Sequence, residues 1–322
     1  MKKIVVVGAG SAGTMLVNKL SRSHLIDECD ITITDPHEIH YYQPGFLFIP
    51  FGIYTEKMVQ KPRRDYIPPE INYIQSKVEQ IDPEKNQVIL TNNQKIPYDF
   101  LVIATGTRIA PEEVEGLTGT GWRKNIFDFY TIEGAVTLSK FLRYWKGGKM
   151  VMNIAEMPIK CPVAPLEFIF LADWWFTEQG IRDKVEIELV TPLDGAFTRP
   201  IASKYLGEIV DRKNIKILPD FNIESVDSDN NKLNSYEGKE TEYDLLVTVP
   251  TNMGAAIIEK SGFGDELNFV PTDKHTLQTK VKDNIFAIGD ATNLPSSKAG
   301  SVAHFQVDVL AENLERAIDG KE

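Results

Sequence analysis

The chain has 322 residues, 42% of them hydrophobic, and its 46 acidic residues outnumber 35 basic ones, for a formal net charge of −11. This length supports about two domains, and the negative charge disfavours a nucleic-acid partner because it would repel the phosphates. No stretch approaches the ~18 apolar residues of a membrane helix. The first apolar run begins at residue 3, leaving no room for a signal peptide. Two cysteines, Cys29 and Cys161, are too few for a disulfide framework, so we expect a cytoplasmic protein.

Apolar, β-branched runs alternate with amphipathic helical patterns along the chain. The predicted strands are residues 3–7, 31–34, 87–90, 100–104, 149–154, 185–190, 245–249 and 285–288. The predicted helices are residues 11–22, 133–145, 163–179 and 300–318, and no internal repeat is evident. Such alternation predicts an α/β fold with parallel sheets. Junctions at 111–121 and 271–279 divide it into a discontinuous first domain, 1–113 plus 271–322, and a second domain, 114–270.

The first strand leads directly into Gly8-Ala9-Gly10-Ser11-Ala12-Gly13, which opens the first helix. In a G-x-G-x-x-G turn, the first glycine makes the bend, the second lets a pyrophosphate approach, and the third lets helix and strand pack closely. The helix N-terminus then faces the phosphates with its free N–H groups. Asp35 ends the next strand, where an acid binds ribose hydroxyls. The first domain is therefore predicted to bind a dinucleotide.

Two later turns resemble those of the pyridine nucleotide-disulfide oxidoreductase superfamily of two-domain FAD flavoproteins. They are Ala104-Thr105-Gly106, after strand 100–104, and Gly289-Asp290, after strand 285–288. The resemblance implies two Rossmann-like dinucleotide-binding domains of the glutathione and thioredoxin reductase type, with FAD in the first. It places Asp290 on the ribityl and phosphate portion of FAD, and the N-terminus of helix 300–318 near the pyrimidine edge of the flavin. Val78 is also among the residues predicted to bind the cofactor.

The second domain departs from that superfamily pattern at the turn after strand 149–154. Counting back from Glu167, the three glycine positions hold Lys160, Pro162 and Pro165. Their side chains would block a pyrophosphate, and prolines lack N–H donors. Strand 185–190 runs into Thr191-Pro192, without an acid for the NAD ribose. We therefore expect a degenerate NAD(P) site.

A cysteine stands in the same turn. Pro162 suits the first position of a helix, so Cys161 is expected near the N-cap of helix 163–179. There the helix dipole and Lys160 would lower the pKa of the thiol. The alternative is a small buried side chain with no chemical role. We interpret Cys29, before strand 31–34, as structural.

Three stretches resemble the sulfide:quinone oxidoreductase family. They are His40-Tyr41-Tyr42-Gln43-Pro44-Gly45, Cys161 to Glu167, and Gly289 to Phe305, which includes Lys298. The resemblance implies that FAD oxidises sulfide and passes electrons to a quinone. Cys161 would attack or carry sulfur, Glu167 would accept a proton, Lys298 would hold the flavin or the acceptor, and Gln43 and Pro44 would lie along the isoalloxazine. The second redox cysteine of the family lies in a C-terminal region absent from this sequence, so a persulfide on Cys161 would replace an internal disulfide.

Further expectations concern partners. The cysteines and histidines lack metal-ligand spacing, so no metal is predicted. A homodimer is expected, with peripheral contact at the inner face of the membrane as a further option. We interpret Trp174-Trp175-Phe176 as core or subunit contact, with a membrane- or quinone-facing surface as the alternative. We interpret Lys61, Arg63 and Arg64 as a solvated face. Two other functions stay open: a soluble NAD(P)H-dependent flavoprotein disulfide reductase, and a flavin-binding subunit that is inactive alone.

Overall fold

A computed structural model of the protein describes residues 1–321. Within that range the strands are β1 (Lys2–Val7), β2 (Cys29–Thr34), β3 (Ile39–Tyr41), β4 (Gln60–Pro62), β5 (Asn72–Ile74), β6 (Val78–Asp82), β7 (Gln87–Leu90), β8 (Lys95–Pro97), β9 (Phe100–Ile103), β10 (Thr107–Ala110), β11 (Ile126–Phe127), β12 (Gly148–Ile154), β13 (Val185–Val190), β14 (Ile215–Leu218), β15 (Ile223–Asp227), β16 (Lys232–Ser235), β17 (Glu240–Glu242), β18 (Leu245–Val249), β19 (Thr251–Gly254) and β20 (Ile285–Ala287). The α-helices are α1 (Ser11–Leu20), α2 (Leu25–Glu28), α3 (Ile132–Leu142), α4 (Ala164–Glu178), α5 (Pro200–Arg212), α6 (Ala256–Lys260) and α7 (Gly300–Ile318). Short 3₁₀ turns include Gln43–Phe48 and Arg63–Tyr66.

The chain forms two compact units. Unit 1 comprises residues 1–41, 60–108 and 253–321, and unit 2 comprises residues 42–59 and 109–252. The predicted domains, 1–113 with 271–322 and 114–270, divide the chain differently at three segments, the shortest of which, residues 109–113, lies in unit 2. Residues 42–59 lie in unit 2, where Phe51 packs on Phe168 with ring centroids 5.1 Å apart. Residues 253–270 lie in unit 1, where Ile258 of α6 shares a core with Ile81.

Unit 1 is built on a parallel sheet with strand order β20-β9-β1-β2-β5. Side chains alternate across β1, as the pleat of a strand requires. Ile4 and Val6 enter one core, which α1 and α7 cover. Val5 and Val7 enter the other, together with the antiparallel meander β6-β7-β8. Both faces of the sheet are therefore buried, as in α/β proteins.

Unit 2 repeats this architecture. Its parallel sheet has the order β11-β18-β12-β13-β14, and β15-β16-β17 form an antiparallel meander. With β12 matched to β1, four strands of each sheet occur in the same order, β9-β1-β2-β5 in one and β18-β12-β13-β14 in the other, and the meander falls at the same point of the chain. The edge strands differ, because β20 comes last in unit 1 whereas β11 comes first in unit 2. The fold is thus two Rossmann-like domains, as predicted. The repeat, which the sequence did not reveal, is one of topology.

The four predicted helices are present as α1, α3, α4 and α7. In α7, Leu310 and Leu314 are buried, whereas Phe305 and Val309 are exposed. In α4, Phe176 is fully buried but Trp174 is exposed. Among the described residues, none of the helices has the length and apolar character needed to span a membrane.

Candidate functional site

The register of unit 1 brings the predicted cofactor residues to one edge of its sheet. Val7 pairs with Thr34 and with Ile103, and Ala287 also pairs with Ile103. Parallel strands paired in this way end together. The turns that follow them, which begin at Gly8, Asp35, Ala104 and Ile288, therefore share the carboxyl edge where α/β sheets bind ligands.

The glycine turn has the geometry that the sequence predicts. Gly8 adopts φ +102°, and a Cβ there would lie 2.5 Å from the carbonyl oxygen of Ala104. A Cβ on Gly13 would overlap the carbonyl oxygen of Gly8, so helix and strand pack closely. A Cβ on Gly10, by contrast, would meet nothing within 4 Å. Gly10 is also the N-cap of α1 and offers no side-chain cap, so the first N–H groups of the helix face open space.

Asp35 is buried beside this turn. Its carboxylate accepts from the N–H of Ala9 at 2.8 Å and from the N–H of His37 at 2.9 Å. Carboxylate oxygens have four acceptor positions in all, which leaves capacity for ribose hydroxyls.

Arg63 is a residue that sequence reasoning placed wrongly. The sequence predicts a solvated face at this position, yet Arg63 is only 6% exposed. Its guanidinium donates to the carbonyl oxygens of Ala9, His37 and Ile39, and Nη1 lies 3.5 Å from Oδ2 of Asp35. A rigid fork of donors suits this role. No pattern distinguishes Arg63 from Arg64, which is exposed.

The Gly289-Asp290 turn approaches α1 closely. Gly289 adopts φ +69°, and a Cβ there would lie 2.9 Å from the Cβ of Ala12. The N–H of Gly289 donates to Oε1 of Gln306 at 2.7 Å, which ties the turn to α7. Asp290 is thereby held next to the first turn of α1.

Lys298 supports the same turn from inside unit 1. It is 6% exposed, and its Nζ donates to the carbonyl oxygens of Asp290 at 3.0 Å and Thr292 at 2.7 Å. The ammonium also lies 3.6 Å from the centroid of the Phe269 ring. Burial lowers the pKa of Lys298 to about 8, although Asp290 and Asp265 oppose the shift. The contacts of Lys298 are therefore with the protein turn that carries Asp290.

These features fit a bound dinucleotide. The space at Gly10 and the uncapped start of α1 suit a pyrophosphate. Thr105 Oγ1 is buried at the same edge without a hydrogen-bond partner among the described residues, so a ligand could satisfy it. Gly106 adopts φ +66° and turns the chain after β9. Val78 begins β6 with a buried side chain, so any contact from it to a cofactor would come from its main chain.

The corresponding turn of unit 2 is longer than the sequence comparison assumed. Residues 155–163 join β12 to α4, whereas residues 8–10 join β1 to α1. The nine-residue turn means that counting back from Glu167 does not locate positions equivalent to the glycines. Thr191 follows β13 where Asp35 follows β2, so the ribose-binding acid is absent, as the sequence indicates.

Cys161 is half-buried within this turn and lies near the N-cap of α4, as expected, but the helix begins later than the sequence indicates. α4 begins at Ala164 with Val163 as N-cap, and Pro165, not Pro162, occupies its first turn. The correction has a local cause: Cys161 adopts φ +51°, and its carbonyl accepts from the N–H of Ala164 at 2.9 Å, which makes a separate turn before the helix. A left-handed conformation costs a non-glycine residue about 1–3 kcal/mol, so neighbouring contacts must hold it.

The other predicted residues of unit 2 lie around that turn. Glu167 is in the first turn of α4. It borders on solvent, but desolvation by the surrounding chain raises the pKa of its carboxyl group. Gln43 and Pro44 are exposed at the start of a 3₁₀ turn of unit 2 whose following residues are buried, and Gln43 Oε1 accepts from Nζ of Lys160 at 2.7 Å. Cys29 is buried at the start of β2, and burial raises the pKa of its thiol.

Sequence comparison relates the chain to known oxidoreductases. The family described as pyridine nucleotide-disulphide oxidoreductase matches residues 2–140. The mitochondrial sulfide:quinone oxidoreductase of Dictyostelium discoideum is 29% identical over 317 residues, which cover 97% of this chain and 70% of the relative. A type II NADH:quinone oxidoreductase of Staphylococcus aureus is 22% identical, with coverage of 99% and 83%.

Structural comparison agrees on the fold. The crystal structure of the sulfide:quinone oxidoreductase from Aquifex aeolicus superimposes with a TM-score of 0.87 at 21% identity. The match covers 99% of this chain and 78% of that one. The two-unit architecture is thus one that known oxidoreductases share.

Proposed function

The chain belongs to the sulfide:quinone oxidoreductase family, and on that premise we propose that it is an FAD-dependent oxidoreductase for sulfide or another reduced sulfur species. Cys161 carries the sulfur chemistry, and a quinone takes the electrons. One observation supports this proposal most strongly. The turn after β12, which would hold a pyrophosphate in a nicotinamide-binding unit, instead carries a cysteine in a left-handed conformation.

The residues at the edge of unit 1 would hold FAD. The glycine turn and α1 would bind the pyrophosphate, Asp35 the adenosine ribose, and Asp290 the ribityl portion. FAD supplies a two-electron acceptor when it is bound. The protein contributes an open space at Gly10, a fixed glycine turn and a supported Asp290.

The sulfur step is a two-electron oxidation at Cys161. A bond forms between Sγ of the Cys161 thiolate and the sulfur of hydrosulfide. The product is a persulfide, and the step releases one proton and two electrons, for which bound FAD would be the acceptor and a quinone the final oxidant. Glu167 accepts the proton, because desolvation raises its pKa and so makes its carboxylate a stronger base. A second hydrosulfide or an external thiol then attacks the outer sulfur and releases the Cys161 thiolate.

One observation favours a second candidate, the oxidation of NADH with a quinone as acceptor. The Staphylococcus relative bears that activity in its name and matches 99% of this chain. Against it stand Thr191 in place of an acid and the nine-residue turn. Unit 2 of this chain therefore suits sulfur chemistry better than a nicotinamide.

The test is anaerobic reduction of the bound flavin by sulfide, followed at its absorption near ~450 nm. We expect rapid bleaching of the wild type and recovery of colour on addition of a soluble quinone. Cys161→Ala should remove the bleaching. Cys29→Ala is the matched control and should bleach like the wild type, because Cys29 is a buried structural residue. Equal bleaching of Cys161→Ala and wild type would refute the role of Cys161.

A further inference from the structure

We propose that Tyr130 and Asn252 are positioning residues that fix the turn carrying Cys161. The inference rests on the proposed function, because it assigns these two residues to the same sulfur chemistry. Neither residue was singled out in the sequence. Both lie in unit 2 beyond the carboxyl ends of its strands, Tyr130 after β11 and Asn252 in β19.

Their contacts converge on the peptide groups around Lys160 and Cys161. The hydroxyl of Tyr130 donates to the carbonyl oxygen of Lys160 at 2.6 Å, and the carbonyl oxygen of Cys161 lies 3.3 Å from the same hydroxyl. Oδ1 of Asn252 accepts from the N–H of Lys160 at 3.0 Å. The main chain is therefore held from two directions immediately before the residue with φ +51°.

Both anchors are themselves fixed by buried partners. The N–H of Tyr130 donates to Oδ1 of Asp128 at 2.8 Å, and Asp128 is fully buried and paired with Arg123 at 2.7 Å. Asn252 is 1% exposed, and its Nδ2 donates to the carbonyl oxygen of Pro250 at 2.9 Å. Groups locked in this way can hold a strained turn without moving themselves.

Tyr130 also faces the side chain of Lys160. The ammonium lies 5.7 Å from the centroid of the Tyr130 ring and donates to Oε1 of Gln43 at 2.7 Å. These contacts fix a positive charge on the residue next to Cys161. A thiolate or persulfide at Cys161 would be stabilised by such a charge, so the anchors set both the place of the sulfur and its electrostatic surroundings.

Removal of the two anchors should change the reactivity and the accessibility of Cys161 in opposite directions. If the anchors are removed, the left-handed turn relaxes and Sγ leaves its fixed position, which slows a reaction that needs precise alignment. The relaxed turn also exposes a thiol that is now half-buried. A merely structural residue would not alter the two properties in opposite directions.

The experiment compares Tyr130→Phe with Tyr243→Phe in the flavin-loaded protein. Tyr243 is the matched control because it is buried in unit 2 and its hydroxyl has no hydrogen-bond partner among the described residues. Two rates are measured: flavin reduction by sulfide, and alkylation of Cys161 by iodoacetamide across a pH series, with the labelled peptide identified by mass spectrometry. FAD content and thermal midpoint are recorded for each variant.

We expect Tyr130→Phe to slow flavin reduction about tenfold or more. We expect alkylation of Cys161 in that variant to be about threefold faster or more at high pH, where the thiol is ionised. Tyr243→Phe should match the wild type in both rates. Equality of Tyr130→Phe with Tyr243→Phe in alkylation would overturn the proposal, whether or not sulfide reduces the flavin. If the wild-type flavin is inert to sulfide, the proposed function fails while the alkylation result still decides the positioning role.

Asn252→Ala provides an independent test if Tyr130→Phe is unstable. It removes the acceptor for the N–H of Lys160 and should shift both rates in the same directions. The double variant should resemble the single ones, because one turn can relax only once. Full additivity, or a wild-type alkylation rate in Asn252→Ala, would contradict a shared positioning role.

Discussion

The first turns of the two Rossmann-like units differ far more than the sheets that carry them. In unit 1, residues 8–10 join β1 to α1, and the first helical N–H groups face open space. In unit 2, residues 155–163 join β12 to α4 and carry Cys161. The strand order around both turns is the same. Two units with closely related topology therefore differ most at one loop, the turn that follows the central strand of each sheet.

The positions after β2 and β13 show the same contrast at a single residue. The N–H of Asp35 bonds to Ile74 at 3.3 Å, and the N–H of Thr191 bonds to Leu218 at 3.1 Å. Each side chain accepts from the N–H two residues on, that of His37 in one case and that of Leu193 in the other. The backbone arrangement is retained, and what unit 2 has lost is the carboxylate.

The largest effect is expected from Gly10→Ala in unit 1. A methyl group there meets no protein atom within 4 Å, so it would occupy the space left for a pyrophosphate. We expect FAD affinity to fall about 100-fold, or about 2.7 kcal/mol. The free energy of unfolding of the flavin-free protein should fall, because alanine is a poorer N-cap than glycine, but by less than about 1 kcal/mol.

Gly207→Ala in α5 of unit 2 is the control for that substitution. A methyl group at Gly207 also meets no atom within 4 Å, but it lies away from either turn. FAD affinity, measured by titrating flavin fluorescence, should match the wild type. A loss of affinity equal to that of Gly10→Ala would show that the effect is not local to the glycine turn.

A smaller effect is expected from Arg63→Gln. The substitution leaves three carbonyl oxygens and Asp35 without the guanidinium that ties them to the glycine turn. We expect the Kd for FAD to rise about tenfold, in line with one or two lost hydrogen bonds to a charged donor. Arg64→Gln removes the same charge from an exposed neighbour and should leave the Kd within about twofold, as surface charges contribute little. Equal effects of the two variants would mean that net charge, not the clamp, governs binding.

Asp290 follows β20 in unit 1 and Asp128 follows β11 in unit 2, and a basic residue holds each of them. The smallest effect is expected from the loss of such a contact. Asp128 is paired with Arg123 through its side chain, whereas Lys298 binds the main chain of Asp290. Burial lowers the pKa of Lys298 to about 8 from 10.5, so the folded protein loses this proton before the unfolded chain does. Stability should therefore rise between pH 8 and 10.5 relative to Lys298→Met.

The size of that rise is bounded by the pKa change. The full change corresponds to at most about 3 kcal/mol, and relaxation of the protein around a buried ammonium reduces it, so we expect about 1 kcal/mol. Urea unfolding of the flavin-free protein at both ends of this pH range measures it. A difference between wild type and variant that is constant with pH would show that Lys298 keeps its ordinary pKa in the folded protein.

The sequence was sufficient to predict those parts of the fold and site that follow from a local residue pattern. Apolar periodicity located the central strands and the helices α1, α3, α4 and α7, and glycine spacing located the first turn. It missed α5, although Ile201, Tyr205 and Ile209 recur there at helical spacing; only Val210 of this helix is buried in the structure. It also missed Arg63, Tyr130 and Asn252, since their roles come from distant main-chain partners that no spacing reveals. Cys161 lies before the helix because of a left-handed turn, and a non-glycine residue gives no sequence signal for such a turn.

The most direct test of the contrast between the two turns is a pair of anaerobic reductions of the purified yellow protein. Sulfide is added to one sample and NADH to the other, and the flavin absorption is followed over time. This contrast predicts rapid bleaching with sulfide and no rapid bleaching with NADH, because the turn of unit 2 carries a thiol and is not followed by an acid at Thr191. Rapid bleaching by NADH alone, with sulfide inert, would contradict it and identify a pyridine-nucleotide oxidoreductase.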